Sequence, residues 1–147
     1  MSLWGSKKRD DRGAAVVETA LCLCFLVLPL VFATISYGYM LSFRQALSQA
    51  ASEGARAAVG APSASAVTSS ATTAIENSLS TYKLTCSGGT LTCSISAPTT
   101  TGCPSPHTCV TVTVSYPYRA HNLLPTLPGM GFTLPNNLSF TSVVQVS

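Results

Sequence analysis

Residues 19–43 read TALCLCFLVLPLVFATISYGYMLSF, 25 positions without a charge. At 1.5 Å per residue, a helix of that length is roughly 37 Å long, enough to cross a hydrocarbon core of about 30 Å with some tilt. The stretch predicts a single transmembrane helix. Lys7, Lys8, Arg9 and Arg12 precede it, and that excess of cations orients the N-terminus to the cytoplasm and residues 44 onward to the outside. Pro29 removes one helix hydrogen bond at mid-span, which predicts a kink near Phe25 to Pro29 rather than a break. Tyr37, Tyr39 and Phe43 are expected at the outer interface, as an aromatic belt. A secretory signal cut near Ser36 is the rival reading, but its apolar core is usually only about 7–15 residues long. Leu21 stands directly before Cys22, where a lipoprotein signal wants a small residue. Cys22 and Cys24 point in different directions on a helix and read as small apolar side chains.

The rest of the chain is short of charge. Charged residues make up 9% of the 147 and hydrophobic ones 46%, with eight Lys and Arg against five Asp and Glu and a net charge of +3; soluble domains usually carry about 25% charge. Beyond Gly13 the only ionic side chains are Arg44, Arg56, Lys83 and Arg119 against Glu18, Glu53 and Glu76. From Gly60 onward Glu76 stands alone, so no carboxylate pair, acidic calcium loop or acid-ligated magnesium site can be assembled there. A Ser-His-Asp arrangement would need Glu76 to orient His107 or His121. Lys83 and Arg119 cannot neutralise a run of phosphates, which excludes a nucleic-acid stripe. No catalysis, no cofactor and no small-molecule substrate are expected.

Glu18 heads the apolar run in the string Arg12-Gly13-Ala14-Ala15-Val16-Val17-Glu18. A carboxylate at the edge of a membrane is costly and wants a partner; the plain alternative is a glutamate snorkelling to the cytoplasmic interface. A cut after Gly13 would turn Ala14 into an ammonium group at the start of a helix. Glu18, one turn along, could then pair with that group in a neighbouring copy and set axial register in a filament.

Gly13, four further residues and Glu18, with a basic leader before and an apolar helix after, resemble the type IV prepilin cleavage motif. The longer strings RGAAVVETALCLCFLVLPLVF and FRQALSQAASEGARAAVG are similar to TadE-like pilus-assembly proteins, minor pseudopilins of the Tad (Flp, tight-adherence) system. The resemblance covers roughly residues 12–60, with a weaker echo in VTVTVSYPY at 110–118 and in the LLPTLPGMGF that follows. It implies that a prepilin peptidase cuts between Gly13 and Ala14 and that Glu18 is the required acid. Thr19 stands where Tad-type prepilins often have an aromatic residue, and Ala14 where better-studied pilins usually have Phe.

Past the membrane, Leu47, Ala50, Ala51, Gly54, Ala55 and Ala58 mark an apolar, small-residue face, while Arg44, Gln45, Gln49, Glu53 and Arg56 are polar. Such a face can admit another helix closely or pack under the protein's own sheet, and the pattern leaves both open. Gly60 and Pro62 end the helix near Val59, giving one helix of roughly 69 Å from Ala14. Ser63 or Ser65 is expected to cap a second helix with Val67, Ala71, Ala74, Ile75, Leu79 and Tyr82 on its apolar face. From Lys83 the period becomes two. LTCS-GG-TLTCSISA reads as a hairpin turning at Gly88-Gly89, and CVTVTVSYPY as a strand with Val110, Val112 and Val114 on one face. A last strand is expected from Leu138 to Val146. The Pro-rich HNLLPTLPGMGFTLPNN between them would cover an apolar patch or offer one to a partner. Four outer cysteines allow three disulfide pairings. Cys86 with Cys93 and Cys103 with Cys109 are favoured because each closes a local loop, although in a tight two-residue hairpin Cys93 would lie diagonal to Cys86. Zinc on Cys103, His107 and Cys109 is the rival, without the usual ligand spacing.

The expected architecture is α+β: a long N-terminal transmembrane and stalk helix, with a second helix packed on a small antiparallel sheet, pilin-like and disulfide-stabilised. Its parts are a cytoplasmic leader (1–13), a transmembrane helix (14–43), a helical stalk (44–60) and an extracytoplasmic α+β domain (61–147). The functional expectation is a minor pseudopilin in the assembly or initiation of a Tad-type pilus used in adherence or secretion. Its partners would be the prepilin peptidase, other pilins and pseudopilins, the assembly platform of the inner membrane and the lipid bilayer. Two alternatives stand beside it: a single-pass membrane-anchored extracellular binding protein that does not polymerise, and a secreted disulfide-bonded domain beginning near Tyr37.

Overall fold

Apolar side chains that recur every three to four residues, followed by side chains that alternate, build helices first and a sheet afterwards. The computed structural model describes residues 11–104, 106–121, 123 and 134–146. Helix α1 (Asp11–Cys22) leads through a π-helical stretch (Leu23–Val27) into α2 (Leu28–Val59). Pro29 has no N–H to return to Phe25, and just upstream the ladder widens, the Leu28 N–H bonding to Leu23 O five residues back. The chain divides after Tyr37, within α2, into two units, Met1–Tyr37 and Gly38–Ser147.

In the second unit α2 ends at Val59, where the Gly60 N–H closes onto Arg56 O at 3.3 Å. A 3-10 turn (Ala64–Ala66) leads into α3 (Val67–Ser78). Neither Ser63 nor Ser65 caps a helix: Ser63 precedes the 3-10 turn without a side-chain cap bond, and the two hydroxyls bond to each other at 3.0 Å. The serine pair satisfies itself locally, as serines do when a competing turn is at hand.

Three strands, β1 (Thr92–Ile95), β2 (Thr108–Tyr116) and β3 (Leu138–Val146), form an antiparallel sheet in that spatial order. Cys93 stands opposite Val114, and Val112 opposite Ser142. The alternation sorts the faces of β2. Val110, Val112, Val114 and Tyr116 are buried, while Thr111, Thr113 and Ser115 are only partly covered. On the outer face Thr113 Oγ1 and Thr141 Oγ1, cross-strand partners, bond at 2.9 Å. The core joins this β2 face to Val67, Ala71, Ile75 and Leu79 from the α3 segment and to Met40, Phe43, Leu47, Ala50, Ala51, Ala55 and Ala58 from α2.

Two expectations are corrected here. The first arm of the Gly88-Gly89 hairpin is not a strand: Leu84–Ser87 runs as irregular chain and turn, and only Thr92–Ile95 joins the sheet. Lys83 takes a left-handed conformation at φ 55° and turns the chain, and the Cys86 N–H is bonded by Glu76 Oε1 at 2.9 Å instead of by a strand partner. Phe43, placed by its apolarity in an interfacial belt, is 0% exposed and lies inside the folded unit. The Pro-rich connection falls, apart from Leu123 and its two ends, outside the described residues.

Candidate functional site

Gly13, Ala14 and Glu18 all lie on α1 and all are exposed. A Cβ added at Gly13 would meet nothing within 4 Å. Helical spacing puts Ala14 and Glu18 one turn apart on one face. Thr19 Oγ1 donates to Ala15 O at 2.9 Å, so its hydroxyl is satisfied within its own helix. The large side chains that follow are open as well: Val16 is 69% exposed and Phe25 78%. Among the described residues one helix, Gly13–Val59, is long and apolar enough to cross a membrane, and none of its most apolar stretch is buried. A soluble protein rarely leaves so long an apolar run open, and the run fits a single-pass membrane anchor. Cys22 and Cys24 are free and exposed within it. Lys7, Lys8 and Arg9 lie outside the described residues.

The small-residue face, ambiguous in sequence, is occupied by the protein itself. Gly54 sits under Ile75 and Val112: a Cβ there would stand 2.8 Å from Ile75 Cγ1 and 3.3 Å from Val112 Cγ1. Leu47, Ala50, Ala51, Ala55 and Ala58 are buried with it. The polar face stays open, and on it Arg56 Nη1 and Glu53 Oε1 are 3.6 Å apart.

The four cysteines of the second unit form two bonds, Cys86 to Cys93 and Cys103 to Cys109, with Cα separations of 5.5 Å and 5.7 Å. Cys86 to Cys93 ties the irregular arm before the Gly-Gly turn to β1, and Cys103 to Cys109 ties the loop after β1 to the start of β2. With both thiols of each pair used, Cys103, His107 and Cys109 are not a zinc set; no group of three or more His, Cys, Asp or Glu among the described residues could hold a metal ion. Glu76 is engaged by the Cys86 N–H, and His107 and His121 are both exposed.

One constellation was not singled out in the sequence. Phe43 is ringed by Tyr82 at 5.0 Å, Tyr116 at 5.0 Å and Tyr118 at 6.0 Å between centroids, and Tyr39 stands edge-on to Tyr82 at 6.3 Å. Edge-to-face rings at such distances add attraction beyond the burial of their area. Tyr116 Oη donates to His121 O at 2.9 Å. Burial raises the pKa of the Tyr116 and Tyr118 phenols above the ordinary 10.0, and the Tyr39 phenol adds to the effect on both. The signal was present in Tyr-Pro-Tyr at the end of β2, an aromatic pair too large for a surface turn.

Residues 13–56, less than a third of the chain, match the family model described as TadE-like protein. The matched segment begins at Gly13 and includes Glu18, the exposed apolar helix and nearly all of the small-residue face. No curated protein and no solved structure matches the chain significantly. Members of the TadE-like family are structural pilus proteins rather than enzymes. Through residues 13–56 this chain is similar to the TadE-like proteins.

Proposed function

We propose that the chain is a minor pseudopilin, inserted in the cytoplasmic membrane as a prepilin and cut between Gly13 and Ala14 by a prepilin peptidase. Its cleaved helix then joins other pilins at the assembly platform, in the building or initiation of a Tad-type pilus that serves adherence or secretion. The leader is 1–13, and the C-terminal unit lies outside the membrane. Glu18 pairs with the Ala14 ammonium of a neighbouring copy, a charge-assisted contact in a medium where an unpartnered carboxylate is costly. The observation that carries the reading is the coincidence of three features on one segment: the family match over residues 13–56, the Gly13-to-Glu18 spacing, and an apolar helix with no cover of its own.

Because Gly54 and its neighbours are occupied within the chain, contacts with other pilins fall to the uncovered helix of the first unit and to the polar surfaces of the second. N-terminal mass spectrometry of protein recovered from membranes, with and without the prepilin peptidase, tests the proposal. A chain beginning at Ala14 only when the peptidase is present is the expected result. Met1 or Ser2 in both samples would transfer the reading to a membrane-anchored binding protein that does not polymerise, and a start near Tyr37 to a secreted domain.

A further inference from the structure

β3 is an edge strand without the usual guards. Its nine residues, LSFTSVVQV, hold no charge, no proline and no glycine, whereas proteins commonly blunt an open edge with charge, proline or a short strand. The opposite edge is protected in that way: β1 is four residues long, Pro98 follows soon after it, and the Cys86–Cys93 bond ties it to the preceding arm. Cys109 exchanges backbone bonds with Thr99, and Thr111 O accepts from the Ser96 N–H. The odd-numbered residues of β2 therefore turn their backbone groups toward β1, and the even-numbered ones toward β3. With Val112 opposite Ser142, the N–H and C=O groups of Ser139, Thr141, Val143 and Gln145 point away from the sheet. Among the described residues no backbone group bonds to them. The inner face of β3 is incompletely covered as well: Val110, Val112 and Val114 of β2 are wholly buried, whereas Phe140, Ser142, Val144 and Val146 are only half-buried. A groove of about 320 Å³ is lined by Phe140 and by Leu41, Arg44, Gln45 and Ser48 of α2.

We infer that the open edge of β3 receives β3 of a second copy of this chain, antiparallel about a twofold axis at Ser142, so that the two sheets become one. The strand is its own complement. Centring on Ser142 sets Ser139 against the second copy's Gln145 and Thr141 against its Val143, and the reverse, so every outward N–H and C=O finds a partner. Neither strand carries a charge that the other would have to face. On the inner face Phe140 of each copy comes opposite Val144 of the other in a non-hydrogen-bonded pair, where side chains stand closest and an aromatic ring packs well on a β-branched residue. Val144 of the second copy thus covers the half-buried ring beside the groove. The pairing goes beyond the pseudopilin reading and does not rest on it.

Oxidative cross-linking of the full-length chain in detergent tests the register, with Cys22→Ala and Cys24→Ala removing the free thiols. Ser142→Cys puts two thiols opposite each other at a non-hydrogen-bonded pair, where Cα atoms stand about 4.5 Å apart, and a disulfide-linked dimer is expected. Ser139→Cys on the same strand would hold its two thiols about 20 Å apart, beyond disulfide reach, and is expected to stay unlinked. Position along the strand carries the test, because the apolar helix can also bring chains together in detergent. Val143→Pro removes one outward N–H from each copy and no bond to β2; losing two hydrogen bonds of ordinary net strength should weaken the association about thirtyfold and lower the linked fraction at 142. Should the proline disturb the strand, Val143→Lys serves instead, since that side chain is 59% exposed. Its ammonium stands diagonal to that of the other copy, so it should suppress the link, and mixing with Val143→Glu should restore it. Links formed equally at 139 and 142, or at neither, overturn the pairing, as does an S142C dimer indifferent to both changes at Val143. In cell-envelope membranes, a link from the S142C variant to a different protein instead of a second copy would give the edge another occupant and also overturn the proposal.

Discussion

Adding one methyl group at position 54 should reverse the usual order of alanine and glycine in a helix. In an exposed helix interior, alanine is favoured over glycine by about 1 kcal/mol. Gln49, exposed on the same helix, provides that reference, and Gln49→Ala should be more stable than Gln49→Gly by about that amount. At Gly54 the new Cβ would lie 2.8 Å from Ile75 Cγ1, 3.0 Å from Ile75 Cδ1 and 3.3 Å from Val112 Cγ1. Carbon atoms in contact prefer about 3.5–4.0 Å, so Ile75 must retreat by several tenths of an ångström. It has little room, since Ile75 and Val112 are both 0% exposed. Overpacking of this kind costs about 1–3 kcal/mol, which cancels or exceeds the helical gain and leaves Gly54→Ala about 0–2 kcal/mol less stable than the native chain. Near-UV circular dichroism of the full-length protein in detergent follows the tyrosine cluster, and each kcal/mol should move its midpoint by about 4–8 °C. An alanine preference at 54 equal to that at 49 would falsify the tight packing of α2 beneath α3 and β2.

Three further outcomes are expected. Non-reducing peptide mapping should recover Cys86 linked to Cys93 and Cys103 to Cys109, and replacing either pair by serine should cost about 2–3 kcal/mol through the short loop released; free thiols at these positions in protein from the cell envelope would refute the pairing. Glu18→Ala should leave membrane insertion and cleavage intact while preventing co-assembly with other pilins, so unaltered pilus incorporation scored by immunoblot of sheared filaments would dismiss the register role. Because burial holds Tyr116 and Tyr118 protonated in the folded chain above the ordinary 10.0, the unfolded chain releases those protons first. The contribution is therefore fully present below about pH 10 and is lost as pH rises beyond it. Absorbance at 295 nm should show late-titrating phenols, and tyrosines that all titrate together near 10 would contradict their enclosure.

Much of the architecture could be read from periodicity. The uncharged run, the alternation in β2 and β3 and the three-to-four spacing of Val67, Ala71, Ile75 and Leu79 each follow from a local rule about which side of an element meets water. The Leu84–Ser87 arm shows where such a rule stops. Its alternation is that of a strand, but Glu76, ten residues back, took the Cys86 N–H that a neighbouring strand would have needed. The candidate site divides in the same way. Gly13, Ala14 and Glu18 are recognisable because a short-range spacing defines them, whereas the aromatic cluster draws on residues from 39 to 118 and has no local signature.

From composition and spacing alone this chain was expected to contain one membrane-length helix, a charge-poor α+β remainder with four cysteines and a lone acid at the head of the apolar run. Those properties depend on residue type and near neighbours. Tertiary structure decided which apolar residues belong to the interior, because apolarity cannot distinguish lipid from a protein core: Phe25 stands 78% exposed and Phe43 0%. It also decided the fate of the small-residue face. A stripe of alanine and glycine permits close approach by any surface, and here Ile75 and Val112 fill the space over Gly54 from the protein's own fold.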